Sequence, residues 1–108
     1  MTDKAEQSEV DRVFEQASGL FALLSAPLRL KILHCLCGGE RSVGEILAFT
    51  GSSQPNVSQH LALMHRAGVL GRRRRGTTVL YRIVSDRAVS VCRSVCTQIA
   101  LEFEESAR

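Results

Sequence analysis

"TGSSQPNVSQHLALMHRAGVLGRRRRGTTVLYRIV", residues 50–84, decides how this chain is read. Gly51 ends one helical pattern, and Ser52 or Ser53 opens the next. Pro55 falls in the first turn of that helix, where an N–H has no helical partner to lose. Val57, Leu61 and Met64 recur at i, i+4 and i+7, the spacing of one buried helical stripe. Gly68 stops the helix. The remainder predicts two strands around a turn near Gly76, because Val79, Tyr81 and Ile83 alternate with Leu80, Arg82 and Val84.

The flanks extend this pattern. Upstream, Ser42 caps a short helix over "VGEILAFT", with Glu45 three residues on completing a capping box. Before it, "PLRLKILHCLC" predicts a helix capped by Ser25, with Pro27 in its first turn and Gly38-Gly39 as its stop. Earlier still, Val10, Val13, Phe14, Ala17, Leu20, Phe21 and Leu24 mark a helix with a wide apolar stripe. Residues 1–8 are expected to be a flexible tail. Downstream, Ser85 or Asp86 caps a long last helix carrying Val89, Cys92, Val95 or Cys96, and Ile99 at helical spacing. The expected fold is mainly α with a small β-hairpin: four helices, the hairpin, then a fifth helix, in a single domain over residues 1–108.

Charge says where the partner is. Residues 1–27 carry two basic and five acidic side chains, residues 28–87 ten basic and three acidic, and residues 88–108 two basic and three acidic. A basic middle between acidic ends points to a polyanion. Two helices joined by "TGSS" form a helix-turn-helix. The second presents Ser53, Gln54, Asn56, Ser58 and Gln59 at its start, short or amide side chains suited to base edges and phosphates. His60 follows, in a place to orient that helix. Arg72, Arg73, Arg74 and Arg75 then enter the turn that holds Thr77, making a cationic wing. In a strand, alternate arginines face opposite ways, so about half of them reach one partner. Double-stranded DNA is the expected partner. No Ser-His-Asp or paired-carboxylate constellation is present, and no obvious catalytic base partners a cysteine, so no enzyme is expected.

"LSAPLRLKILHCL", "GERSVGEI", "SQPNVSQHLALMHRAGVL" and "RRRGTTVLYRI" together resemble the ArsR/SmtB family of winged helix-turn-helix repressors, over roughly residues 20–84. The resemblance implies a homodimer built on the first and last helices and a palindromic operator near the chain's own promoter. It also implies release of DNA when a ligand or oxidant arrives. Two-fold symmetry then sets the recognition helices about 34–36 Å apart.

Four cysteines raise the question of an inducer. The polar, acidic N-terminus is unlike a signal peptide, and no apolar run nears the roughly 18 residues of a membrane span. A cytoplasmic location, reduced thiols and no membrane partner are expected. The family's zinc site on the last helix falls here on Asp86, Ala88, Ile99 and Glu102, without its histidines, and its Cys-x-Cys arsenic site near "SVGEIL" is absent. The persulfide- and oxidant-sensing branch places one thiol on the second helix and one on the last. Here His34 and Ala100 hold those places, with Cys37 one turn later and Cys96 one turn earlier.

Geometry adds a separate reading. Cys92 and Cys96 are i, i+4, with Cβ atoms about 5–6 Å apart, wider than the roughly 3.5–4.5 Å of a disulfide. Cys35 and Cys37 point about 200° apart, and Cys37 shares a face with Leu30 and Leu33. Cys37, Cys92 and Cys96 are therefore the candidate sensor. They can act as thiolates around a soft metal or metalloid such as arsenite, or as partners in a disulfide or polysulfide link. No cofactor is required. The alternative is the same DNA-binding regulator with structural cysteines, since cysteine often serves as a small buried hydrophobe.

Overall fold

The computed structural model describes residues 3–107. Its elements run α1 (Lys4–Leu23), α2 (Pro27–Cys37), β1 (Arg41–Ser42), α3 (Val43–Thr50), α4 (Gln54–Arg66), β2 (Leu70–Arg75), β3 (Thr78–Ile83) and α5 (Asp86–Ser106). The winged helix-turn-helix is as the sequence predicts, with three departures. Lys4–Ser8, expected as tail, are helical, started by Asp3, whose Oδ1 accepts from the Ala5 N–H at 3.4 Å. Met1 and Thr2 lie outside the described residues. Ser25 does not cap α2; its hydroxyl donates back to the Ala22 carbonyl at 2.7 Å, and Ala26 holds the cap position. The hairpin also gains a third strand, giving an antiparallel sheet in the order β1-β3-β2.

That third strand is too short for any periodicity to reveal. Arg41 pairs with Tyr81 and Ser42 with Leu80. Ser42 then serves twice. Its Oγ accepts from the Glu45 N–H at 3.1 Å while its own N–H donates to Glu45 Oε1 at 3.1 Å, the reciprocal box read from the sequence. One residue thus joins the wing sheet to the start of α3. The β2–β3 turn places Gly76 at the first central position with φ +64°, a conformation that L side chains resist, which fits a two-residue type II′ hairpin loop.

The core lies in the middle of the chain. Ile32, Leu33, Leu36, Ile46, Val57, Leu61, Met64, Val69, Leu70 and Tyr81 are buried together. They fasten α2, α3 and α4 to the wing, so the helix-turn-helix is a rigid unit. Leu61 is 1% exposed at the centre of α4. Leu61→Ala is expected to lower unfolding stability by about 2–5 kcal/mol, the loss typical of a truncated core leucine, measured by urea denaturation.

The long terminal helices behave differently. Among described residues α1 buries only Leu23, and α5 only Ala88. The radius of gyration is 16.8 Å, against about 13 Å for a compact chain of about this length. Both helices project as arms with apolar faces open. Phe14 is 69% and Phe103 72% exposed, and Val13, Phe21, Val95 and Ile99 are exposed with them. No single helix among the described residues is long and apolar enough to cross a membrane.

Candidate nucleic-acid interface and thiol cleft

The start of α4 is built from local bonds. Ser53 is its cap, with Oγ accepting from the Asn56 N–H at 3.4 Å. Asn56 in turn donates its side-chain amide to Ser52 Oγ at 3.0 Å, leaving its carbonyl oxygen as a free acceptor. Gln54, Ser58 and Gln59 are exposed beside it. Positive helix-terminal dipole, hydroxyls and amides therefore share one surface, which suits phosphate and base-edge contacts. His60 is half-buried, and its Nδ1 is buried without a hydrogen-bond partner. That nitrogen forms no bond that orients the helix.

Strand register sorts the wing arginines. Arg72 faces Tyr81 and Arg74 faces Val79 across the ladder, so these share the face turned to the core. Arg73 opposite Leu80 and Arg75 opposite Thr78 share the other face. Sequence reasoning missed two members of that second face. Arg82 crosses the backbone at Gly71, where an added Cβ would lie 2.9 Å from the Arg82 guanidinium carbon. Glu40, in the turn after α2, accepts from Arg73 Nε at 2.9 Å and Nη2 at 2.7 Å. The hydrogen bonds from Arg73, with the charges of Arg73, Arg82 and Arg75 behind them, hold the Glu40 carboxyl below its ordinary range. Arg73 is thus engaged within the protein, while Arg72, Arg74, Arg75 and Thr77 are exposed along the wing. The strand alternation of Arg82 with Tyr81 was legible. A bridge between residues 33 apart in sequence was not.

The thiols separate by role. Cys35 is buried in the core, and burial pushes its thiol pKa up. Cys37, Cys92 and Cys96 line one cleft of about 820 Å³ between α2 and α5. His34 and Ala100 line it too, so moving one turn along both helices keeps the thiols on a common space. Cys92 and Cys96 bring their sulfurs to 3.9 Å. A disulfide needs about 2.05 Å, whereas one atom bonded at about 2.3 Å to both sulfurs at a tetrahedral angle needs them roughly 3.8 Å apart. Burial first, then the hydrogen bond and charge of Cys96, pushes the Cys92 pKa up to about 11. At neutral pH Cys92 stays protonated, and either sulfur can donate across the 3.9 Å contact.

The three sulfurs do not form a ready-made ion site. Among the described residues, no three His, Cys, Asp or Glu side chains lie close enough to hold one metal ion. Cys37 stands on α2, across the cleft from the Cys92–Cys96 pair. The expected three-thiolate cluster is therefore replaced by a close pair and a third thiol on the same cleft.

Comparison with known proteins gives a consistent setting. The family profile described as bacterial regulatory protein, arsR family, matches residues 26–70. The chain is 33% identical over 95 residues to the uncharacterized HTH-type transcriptional regulator Rv0081 of Mycobacterium tuberculosis, covering 84% of this chain and 83% of that one. Its fold is similar to the crystal structure of the transcriptional repressor BigR from Xylella fastidiosa, with TM-score 0.77 and 29% identity over 90% of this chain and 95% of that one. It is also similar to the solution structure of the homodimeric winged helix-turn-helix DNA-binding domain of Mb0332 from Mycobacterium bovis. There the TM-score is 0.75 and the identity 26%, over 97% of this chain and 93% of that one.

Proposed function

This chain belongs to the arsR family of bacterial regulatory proteins and is a DNA-binding transcriptional repressor; from that premise we propose that it senses a thiol-reactive inducer through Cys37, Cys92 and Cys96 and then releases a palindromic operator. The observation that carries the proposal is the meeting of all three thiols on one cleft between α2 and α5. The 3.9 Å sulfur pair makes Cys92 and Cys96 the reacting centre, open to arsenite, reactive sulfur or an oxidant.

The active unit is a homodimer through α1 and α5. Those helices leave their apolar faces open, and a structurally similar domain is homodimeric. Ser53, Gln54, Asn56, Ser58, Gln59 and His60 face the major groove in this reading. Arg72, Arg74, Arg75 and Thr77 follow the backbone, and Arg73 is positioned through Glu40. The α2 helix carries Cys37 and packs against α3 and α4, while α5 carries the sulfur pair and the dimer face. Drawing α2 and α5 together changes the angle between the recognition helices and ends simultaneous half-site docking.

The test is release from a duplex spanning the chain's own promoter, followed by fluorescence anisotropy with arsenite, an organic tetrasulfide and hydrogen peroxide. Wild type is expected to lose affinity at least about tenfold with one of these agents, the low end of ordinary allosteric coupling. Cys92→Ser is expected to bind DNA normally and to respond to none. If Cys92→Ser leaves DNA as readily as wild type, the thiols are structural and the sensor reading fails.

A further inference from the structure

The cleft is larger than an ion or a sulfur atom needs. Its volume of about 820 Å³ falls in the roughly 300–1,000 Å³ range of small-molecule sites. Leu30, Leu33, Phe49 and Val89 supply apolar walls, and Lys31 and Arg93 supply positive charge. No carboxylate is among the described residues that line it. The His34 and Phe49 rings meet at 5.8 Å between centroids, giving the cleft an aromatic side. A bare ion or a small oxidant makes use of neither the walls nor the two cations.

We propose that this cleft receives an apolar organic anion bearing a carbon electrophile, of the enone carboxylate class, and that Cys96 is alkylated by it. The inference rests on the thiol-sensor reading and names the class of inducer. Apolar walls hold the body of the ligand, and Lys31 and Arg93 attract its carboxylate. The addition balances without any other reagent. The Cys96 sulfur forms a C–S bond to the β-carbon as the C=C π bond breaks, and the thiol proton ends on the α-carbon. The Cys92 sulfur lies 3.9 Å from that of Cys96, and burial pushes its pKa up to about 11, so Cys92 keeps its proton and does not compete for the electrophile. Around α5 the sulfur pair lies within about 60° of the exposed Ile99 and Phe103, whereas the cleft residue Arg93 lies about 80° or more from Val95, Ile99 and Phe103. The cleft therefore borders the dimer face along the sulfur pair, and its cationic side at Arg93 is turned away from it.

The experiment compares trans-3-benzoylacrylate, which has an aryl body, an enone and a carboxylate, with iodoacetamide, which alkylates thiols but has neither ring nor charge. Intact mass gives the rates on the purified full chain, and peptide mapping gives the site. The first benzoylacrylate adduct is expected on Cys96. Lys31→Ala/Arg93→Ala should slow that adduct about tenfold, the low end of electrostatic focusing in a cleft, with the iodoacetamide rate unchanged. Lys4→Ala/Arg12→Ala, which removes two cations from α1, should change neither rate. Saturated 3-benzoylpropionate in excess should protect Cys96. A rate ratio equal in wild type and the cleft variant, a first adduct on another cysteine, or absence of protection overturns the inference. A chain that leaves DNA to arsenite or tetrasulfide but shows no such selectivity loses this inference and keeps the sensor function. Selective alkylation without any loss of DNA keeps the ligand site and overturns the sensor function.

Discussion

Phe14→Glu is expected to turn the protein into a monomer and to weaken operator binding by about 10²–10⁴-fold, the range lost when two linked binding events become one. Phe14 is 69% exposed on α1, in line with the exposed Val10, Val13 and Phe21. α5 offers Val95, Ile99 and Phe103 in the same state. Burying one such side chain stabilises by about 1.5–3 kcal/mol, so a face of this kind is a substantial source of association energy. A glutamate there must be desolvated twice in a symmetric dimer, once per protomer. The buried core of one protomer does not include Phe14, so the variant should keep its circular dichroism spectrum. Sedimentation velocity gives the oligomeric state, and anisotropy gives the affinity. A variant that is monomeric yet binds the duplex as wild type does removes the bivalent mechanism.

Arg74→Ala/Arg75→Ala is expected to weaken binding to every duplex sequence alike and to flatten the plot of log affinity against log salt by about 1.8, close to 0.9 for each phosphate no longer neutralised. These two residues stand on opposite faces of β2 next to the turn, paired with Val79 and Thr78. Their alanine variants therefore probe the wing tip whichever face meets the backbone. Arg73→Ala makes the contrast. Its guanidinium already holds both oxygens of Glu40, so its removal should change the salt slope by less than the neutralisation of one phosphate does. Should Arg73→Ala flatten the slope by about 0.9 while the double variant leaves it unchanged, the phosphate contact is made through Arg73 and not through the wing tip.

The sequence is most legible where the chemistry is local. The Ser42–Glu45 box, the Ser53 cap, the Val57–Leu61–Met64 stripe and the Gly76 turn each depend on residues within about two helical turns of one another, and all four are present. Helical geometry lets only one of Cys35 and Cys37 face the last helix, and Cys37, the one expected there, is the one on the cleft. The start of α1 is less legible, because an Asp so near the chain start carries no pattern before it that marks it as a cap. Ser25 misleads for a related reason: a hydroxyl between two helices can serve either, and here it bonds backward to Ala22.

What the chain determined alone is its order of helices with the β2–β3 hairpin, its basic recognition segment and the kind of side chain offered to DNA, because capping, periodicity and charge act over a turn or two of backbone. What only the tertiary structure decided is which distant groups meet: Arg41 with Tyr81, Glu40 with Arg73, and Cys37 with the Cys92–Cys96 pair. Those meetings follow from how the central core aligns α2 with the wing and with α5. That alignment depends on the packing of many side chains at once, which no short stretch of sequence contains.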